Sequence, residues 1–177
     1  METSRRDFVY LFSALAFTPP AELLASQGKV AQKPLASFSP QEKEDLGNLC
    51  EQIFPKDEFP GAKELGAVLF LENILSQAHP EWWSVYHAGL ASTGKSAQRI
   101  YKRGFSQSSF EEQTTLLKQM ERGDLPIEDW PEGQPSEFFN LIRDHTLQAM
   151  YSHPKYGGNK DKAAWKMIGY EDWWTEG

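Results

Sequence analysis

Between Ser39 and Tyr151 the apolar residues return every third or fourth position, and no stretch alternates apolar with polar residues long enough to make a strand. That regularity confines the chain to helices, and local signals mark their ends. Ser39, Pro40 and Glu42 stand in the order of an N-cap, a first-turn proline and the reciprocal acid of a capping box. Leu46, Leu49, Cys50, Ile53 and Phe54 follow at helical spacing, and Pro55 stops the run. A second helix is expected from Ala62, carrying Leu65, Val68, Leu69 and Leu71 through Leu75. It is apolar nearly all round, which predicts burial from several sides. Pro80 opens a third helix with Trp83, Tyr86, Leu90 and Ala97 as its buried stripe, weakened by Gly89 and Gly94. Ser108 and Ser109 precede Glu111 and Glu112 in another capping-box register, then come Leu116, Leu117 and Met120, and Gly123 as the stop. After a loop from Asp124 to Pro135, a fifth helix carries Phe138, Phe139, Ile142, Leu147, Met150 and Tyr151 as its core side, with Pro154 beyond its end. The expected fold is all-α: a single compact domain over residues 39–177, of five main helices plus a short C-terminal one.

Residues 1–20 follow a different logic. Arg5 and Arg6 are adjacent, an apolar run extends from Phe8 to Phe17, and Pro19 and Pro20 end it. Such a run is too short to span a hydrocarbon core, which needs about 20 apolar residues. A positive start, a short apolar stretch and a breaker make an export signal. Ser4, Arg5, Arg6 and Phe8 look like the twin-arginine form of it; a buried N-terminal helix with a chance arginine pair is the competing reading. Cleavage after Ala14-Leu15-Ala16 or Ser26-Gln27-Gly28 fits the small-residue rule, or the segment stays attached as a weak anchor. Residues 21–38 lack periodicity and read as a linker. The twin-arginine route carries folded cargo, so the expected destination is the periplasm or the periplasmic face of the inner membrane. The expected cargo is a redox enzyme or a part of one.

Composition removes several function classes. A net charge of −7 argues against a nucleic-acid partner, which rewards a basic face. The single cysteine, Cys50, rules out an internal disulfide framework and a cysteine zinc cluster. It reads as a buried apolar residue or, more rarely, as a bond to another chain. The chain has no dinucleotide-binding, Walker A, G-x-S-x-G or haem-attachment motif. His79, His87, His145 and His153 form no pair at ligand spacing on one helical turn. No catalytic residue and no metal site is therefore expected, and a partner subunit suits the sequence better than a self-sufficient enzyme.

The C-terminal stretch "RDHTLQAMYSHPKYGGNKDKAAWKMIGY" carries His145, Thr146, Ser152, Pro154, Tyr156, Gly157, Gly158, Asn159, Trp165, Lys166 and Gly169. This arrangement resembles the closing motif of the gluconate 2-dehydrogenase subunit 3 family. "FSPQEKEDLGNLCEQIFPKDEFPGAKELG" is similar to that family's opening helix and Ile-Phe-Pro turn, and "VYHAGLAS" matches in character. His153 departs from the pattern, since the family more often places an acidic residue there. The resemblance covers residues 38–170. It implies a small accessory subunit, not catalytic alone, of an oxidoreductase complex that oxidises gluconate, glucose or glycoside hydroxyls. The implied partner is a large flavoprotein of the glucose-methanol-choline type, with FAD in that partner, no cofactor in this chain, and a cytochrome c as electron acceptor. The large subunit often lacks a signal of its own and travels with the small one. An independent periplasmic carbohydrate-binding module, using Trp82, Trp83, Trp173 and Trp174, is the alternative.

The turn itself admits two readings. Pro154 stops the preceding helix, Gly157 and Gly158 permit positive φ and close approach, and Asn159 can cap a terminal helix through its side-chain oxygen. The plain reading is a helix-to-helix joint. The sharper one is a partner interface made of His145, Tyr156, Gly157, Gly158, Asn159 and Trp165.

Overall fold

Six α-helices make up the fold in a computed structural model that describes residues 37–170. They are α1 Pro40–Ile53, α2 Ala67–Gln77, α3 Trp83–Tyr101, α4 Phe110–Arg122, α5 Pro135–Tyr151 and α6 Ala163–Met167. There is no strand among the described residues, so the chain is all-α as the periodicity demands. The signal segment and all but the last two residues of the linker lie outside the described residues. Phe38, at the end of that linker, belongs to the core: it is buried against Trp83, Tyr86 and His87.

Both capping boxes form. Ser39 Oγ accepts from the Glu42 amide while Glu42 accepts from the Ser39 amide, and Ser109 and Glu112 repeat the exchange on α4. Glu42 also pairs with His87 of α3, which ties the start of α1 across to its neighbour. Burial alone would raise the Glu42 carboxyl, but its bonds to His87 and Ser39 outweigh that and leave it below its ordinary value. The shared core takes Leu46 and Leu49 from α1, Leu71 and Leu75 from α2, Tyr86 and Leu90 from α3, Leu116 and Met120 from α4, and Phe138, Ile142 and Met150 from α5. Cys50 sits fully inside it, and burial pushes its thiol up to about 12, so it stays protonated and behaves as a small apolar residue.

Three helices differ from their sequence pattern: α3 begins at Trp83, because the chain from Pro80 to Trp82 winds as a 3-10 turn first. The second begins at Ala67 rather than Ala62, because Gly66 adopts a left-handed φ of 87° and breaks the turn before it. A side chain at Gly66 would collide with the Gly157 carbonyl, so the break makes room for another part of the chain. Leu69 on this helix is 54% exposed, so the apolar surround is not covered on that side. On α5 the inward stripe is Phe138, Ile142, His145, Thr146, Ala149 and Met150, whereas Leu147 and Tyr151 face outward and Phe139 is half-buried. At about 100° per residue, positions 147 and 151 lie opposite the 138–142–149 row. Two polar residues have taken places that apolarity alone would give to Leu147 and Tyr151.

The loop between α4 and α5 is pinned to α3. Arg99 donates two bonds of 2.7 Å to the buried Asp129 carboxylate, and the indole nitrogen of Trp130 donates to Ser96 Oγ at 3.2 Å. Trp130 is thereby driven into the core.

Candidate functional site

The turn after α5 is a clasp. Its backbone leaves Tyr151, makes a 3-10 turn over Pro154–Tyr156, and reverses at Gly157, whose φ is 104°. A Cβ on Gly157 would lie 2.8 Å from Asn73 Nδ2 and 3.0 Å from Leu69 Cγ. One on Gly158 would overlap the Ala149 carbonyl. The two glycines therefore let the turn press against α2 on one side and α5 on the other. Asn73 Nδ2 donates to the Tyr156 carbonyl at 3.0 Å, and the Lys160 amide donates to the Leu65 carbonyl at 3.2 Å.

Asn159 holds the centre and is fully buried. Its Nδ2 donates to the Ser152 carbonyl at 3.2 Å, and its Oδ1 accepts from the Ala164 amide at 3.0 Å. The second bond satisfies one amide in the first turn of α6, but the N-cap position is Lys162 rather than Asn159, because Asp161 and Lys162 turn left-handed before the helix begins. Trp165 of α6 returns the connection: its indole nitrogen donates to the Tyr151 carbonyl at 2.9 Å. The turn is thus fastened to α2, α5 and α6 through Asn159, Trp165 and the close approach of the two glycines.

Of the six residues assigned to an interface from sequence, Tyr156 is exposed (49%) and Gly157 partly so. Gly158, Asn159, Trp165 and His145 are buried within the chain's own fold. What the clasp offers outward is an apolar groove of about 450 Å³ beside Tyr156, walled by Phe70, Ile74, Tyr151 and Ser152. The exposed Leu69 and Leu147 come from the same helices, α2 and α5. Ser4, Arg5, Arg6 and Phe8 of the export signal lie outside the described residues, as do Trp173 and Trp174.

His145 anchors a second cluster that sequence reasoning placed elsewhere. Its Nδ1 and the Tyr86 hydroxyl share a buried hydrogen bond of 2.6 Å. Its ring stacks on Trp82 at 4.8 Å, and Trp82 stacks in turn on His79 at 4.4 Å. Burial, helped by the charge of His79, holds the imidazole below its ordinary value. Trp82 is half-buried and stacked with two histidine rings, and Trp83 is 7% exposed with His87 stacked on it. Among the described residues no three His, Cys, Asp or Glu side chains converge as metal ligands do, and no helix is long and apolar enough to cross a membrane.

The residues missed from sequence are Trp130, Ser92, Glu132 and Glu137, which surround a cavity of about 330 Å³ between α3 and the start of α5. Only the Pro- and Gly-rich composition of residues 124–135 marks that region in the sequence, and composition does not say that Trp130 turns inward.

Residues 40–172 match the family model described as Gluconate 2-dehydrogenase subunit 3. No curated protein and no solved structure matches the chain.

Proposed function

The chain belongs to the gluconate 2-dehydrogenase subunit 3 family, and on that premise we propose that it is the small, non-catalytic subunit that exports and stabilises a flavin-dependent sugar, gluconate or glucoside dehydrogenase. The large subunit, of the glucose-methanol-choline type, carries the FAD and the oxidation chemistry. A cytochrome c takes the electrons, and the twin-arginine signal of this chain brings the folded pair to the periplasm.

The observation that carries this reading is the apolar groove beside Tyr156. A soluble domain rarely leaves Leu69, Tyr151 and Tyr156 exposed together unless a partner covers them. Aromatic anchors over an apolar centre are the usual make-up of a stable subunit contact. Burial of Trp83 and the stacking of Trp82 on two histidine rings count against a free-standing carbohydrate module, because such a module needs an open ring face.

Co-expression of the full chain with its large subunit, followed by affinity capture, tests the proposal. A stoichiometric flavoprotein with flavin absorbance is expected, and Leu69→Asp with Tyr156→Asp should strip it away. Capture of the chain alone, with bound sugar and no flavoprotein, would leave the subunit reading without support.

A further inference from the structure

We propose that the cavity between α3 and the loop before α5 is a socket for a lysine or arginine side chain of the large subunit. The inference rests on the subunit reading above and adds a second, charged contact to the apolar groove.

The socket has an apolar interior and an acidic mouth. Trp130 and Phe138 line it deeply, and Phe138 fits because Gly89 has no side chain: a Cβ there would sit inside the Phe138 ring. Glu132 and Glu137 stand at the entrance. Neither makes an ion pair or a hydrogen bond among the described residues, and no basic side chain lines the cavity. At the wall lies Ser92, 4% exposed, whose hydroxyl has no hydrogen-bond partner among the described residues. A hydroxyl that lines a cavity can accept a hydrogen bond from a donor seated there.

These features select the occupant. An apolar side chain would fill the interior but would strip water from two carboxylates without replacing it. A sugar would want an exposed ring face, and Trp82 at the edge of the cavity is already stacked with His79 and His145. Lysine and arginine combine an apolar stem with a head rich in donors. Their stem matches the interior, and their head can reach Ser92 or the two carboxylates. The partner is placed by α5 itself. Glu137, Leu141, Gln148 and Tyr151 recur on one side of that helix, so the socket and the apolar groove lie along one row. A large subunit that covers the groove runs along this row to the socket.

The test compares full-length variants co-expressed with the large subunit. Glu132→Lys with Glu137→Lys should raise the Kd of the complex about tenfold or more, through like-charge contact with the incoming cation. Ala88→Leu, which fills the socket from α3, should weaken binding without any change of charge. Glu132→Gln with Glu137→Gln should flatten the salt dependence of the wild-type Kd. Thermal unfolding of the glutamate variants alone should match wild type, since both glutamates are exposed. If the wild-type complex forms and its Kd is the same in the reversal and Ala88→Leu variants, the socket proposal is wrong and the subunit reading stands. If wild type captures no flavoprotein, both fall together.

Discussion

Gly158 and His145 show how differently single residues can be read from a sequence. Gly157, Gly158 and Asn159 announce a demanding backbone on their own, because only glycine tolerates such close approach and Asn is a natural cap. What the string does not announce is that the demand is internal. The missing Gly158 side chain leaves space for the Ala149 carbonyl, within this chain, and not for a partner. Gly158→Ala should therefore lower the stability of the isolated domain by about 1–3 kcal/mol, the range for forced overpacking. Urea unfolding checks it; a variant as stable as wild type would mean the turn has room to move. His145 was illegible because its burial depends on Tyr86, 59 residues away. Its titration gives a second prediction. The folded state binds the His145 proton less tightly than the unfolded state, whose value is about 6.5. As the pH drops below that value, unfolding takes up a proton and stability declines, until the folded pKa is passed. His145→Gln removes this dependence. The stability gap between wild type and variant should narrow from pH 7 to pH 5, as measured by urea unfolding at each pH.

At the scale of elements, helices announced by caps were read to the residue, and helices announced by apolarity alone were not. Both capping boxes formed where the serine and glutamate spacing put them. The α2 start slipped by five residues because Gly66 answers to the clasp, a contact with Gly157 that no local pattern encodes. The α5 stripe was rotated for a related reason: His145 and Thr146 are polar by type but buried, and His145 is turned inward by its bond to Tyr86. The α4 cap can be isolated cleanly, since Ser109 bonds to no other helix. Ser109→Ala should cost about 1 kcal/mol, while Ser109→Asp should retain most of the stability through the same acceptor geometry and the favourable helix dipole. Equilibrium denaturation of both variants decides it. An equal loss for Ala and Asp would show that the cap contributes little to α4.

For the whole molecule, the export reading proposed above divides function between a domain that folds around its own core and a leader that precedes it in sequence. On that reading the domain reaches its final form before export, as a route for folded cargo requires, and the proposed groove and socket give it something to hold during passage. The division predicts separable failures. Arg5→Lys with Arg6→Lys keeps the charge of the leader and leaves residues 37–170 untouched, so complex assembly should proceed normally in the cytoplasm. Export should be almost abolished, because lysine offers a point charge where the twin-arginine signal presents a planar fork of donors. Leu69→Asp with Tyr156→Asp should do the reverse: this chain reaches the periplasm alone and its flavoprotein stays behind. Fractionation with antibodies to both chains reads the two variants side by side. If the lysine pair still delivers both proteins to the periplasm, the leader is not of the twin-arginine type. If the groove variant still delivers the flavoprotein, that subunit travels by a signal of its own.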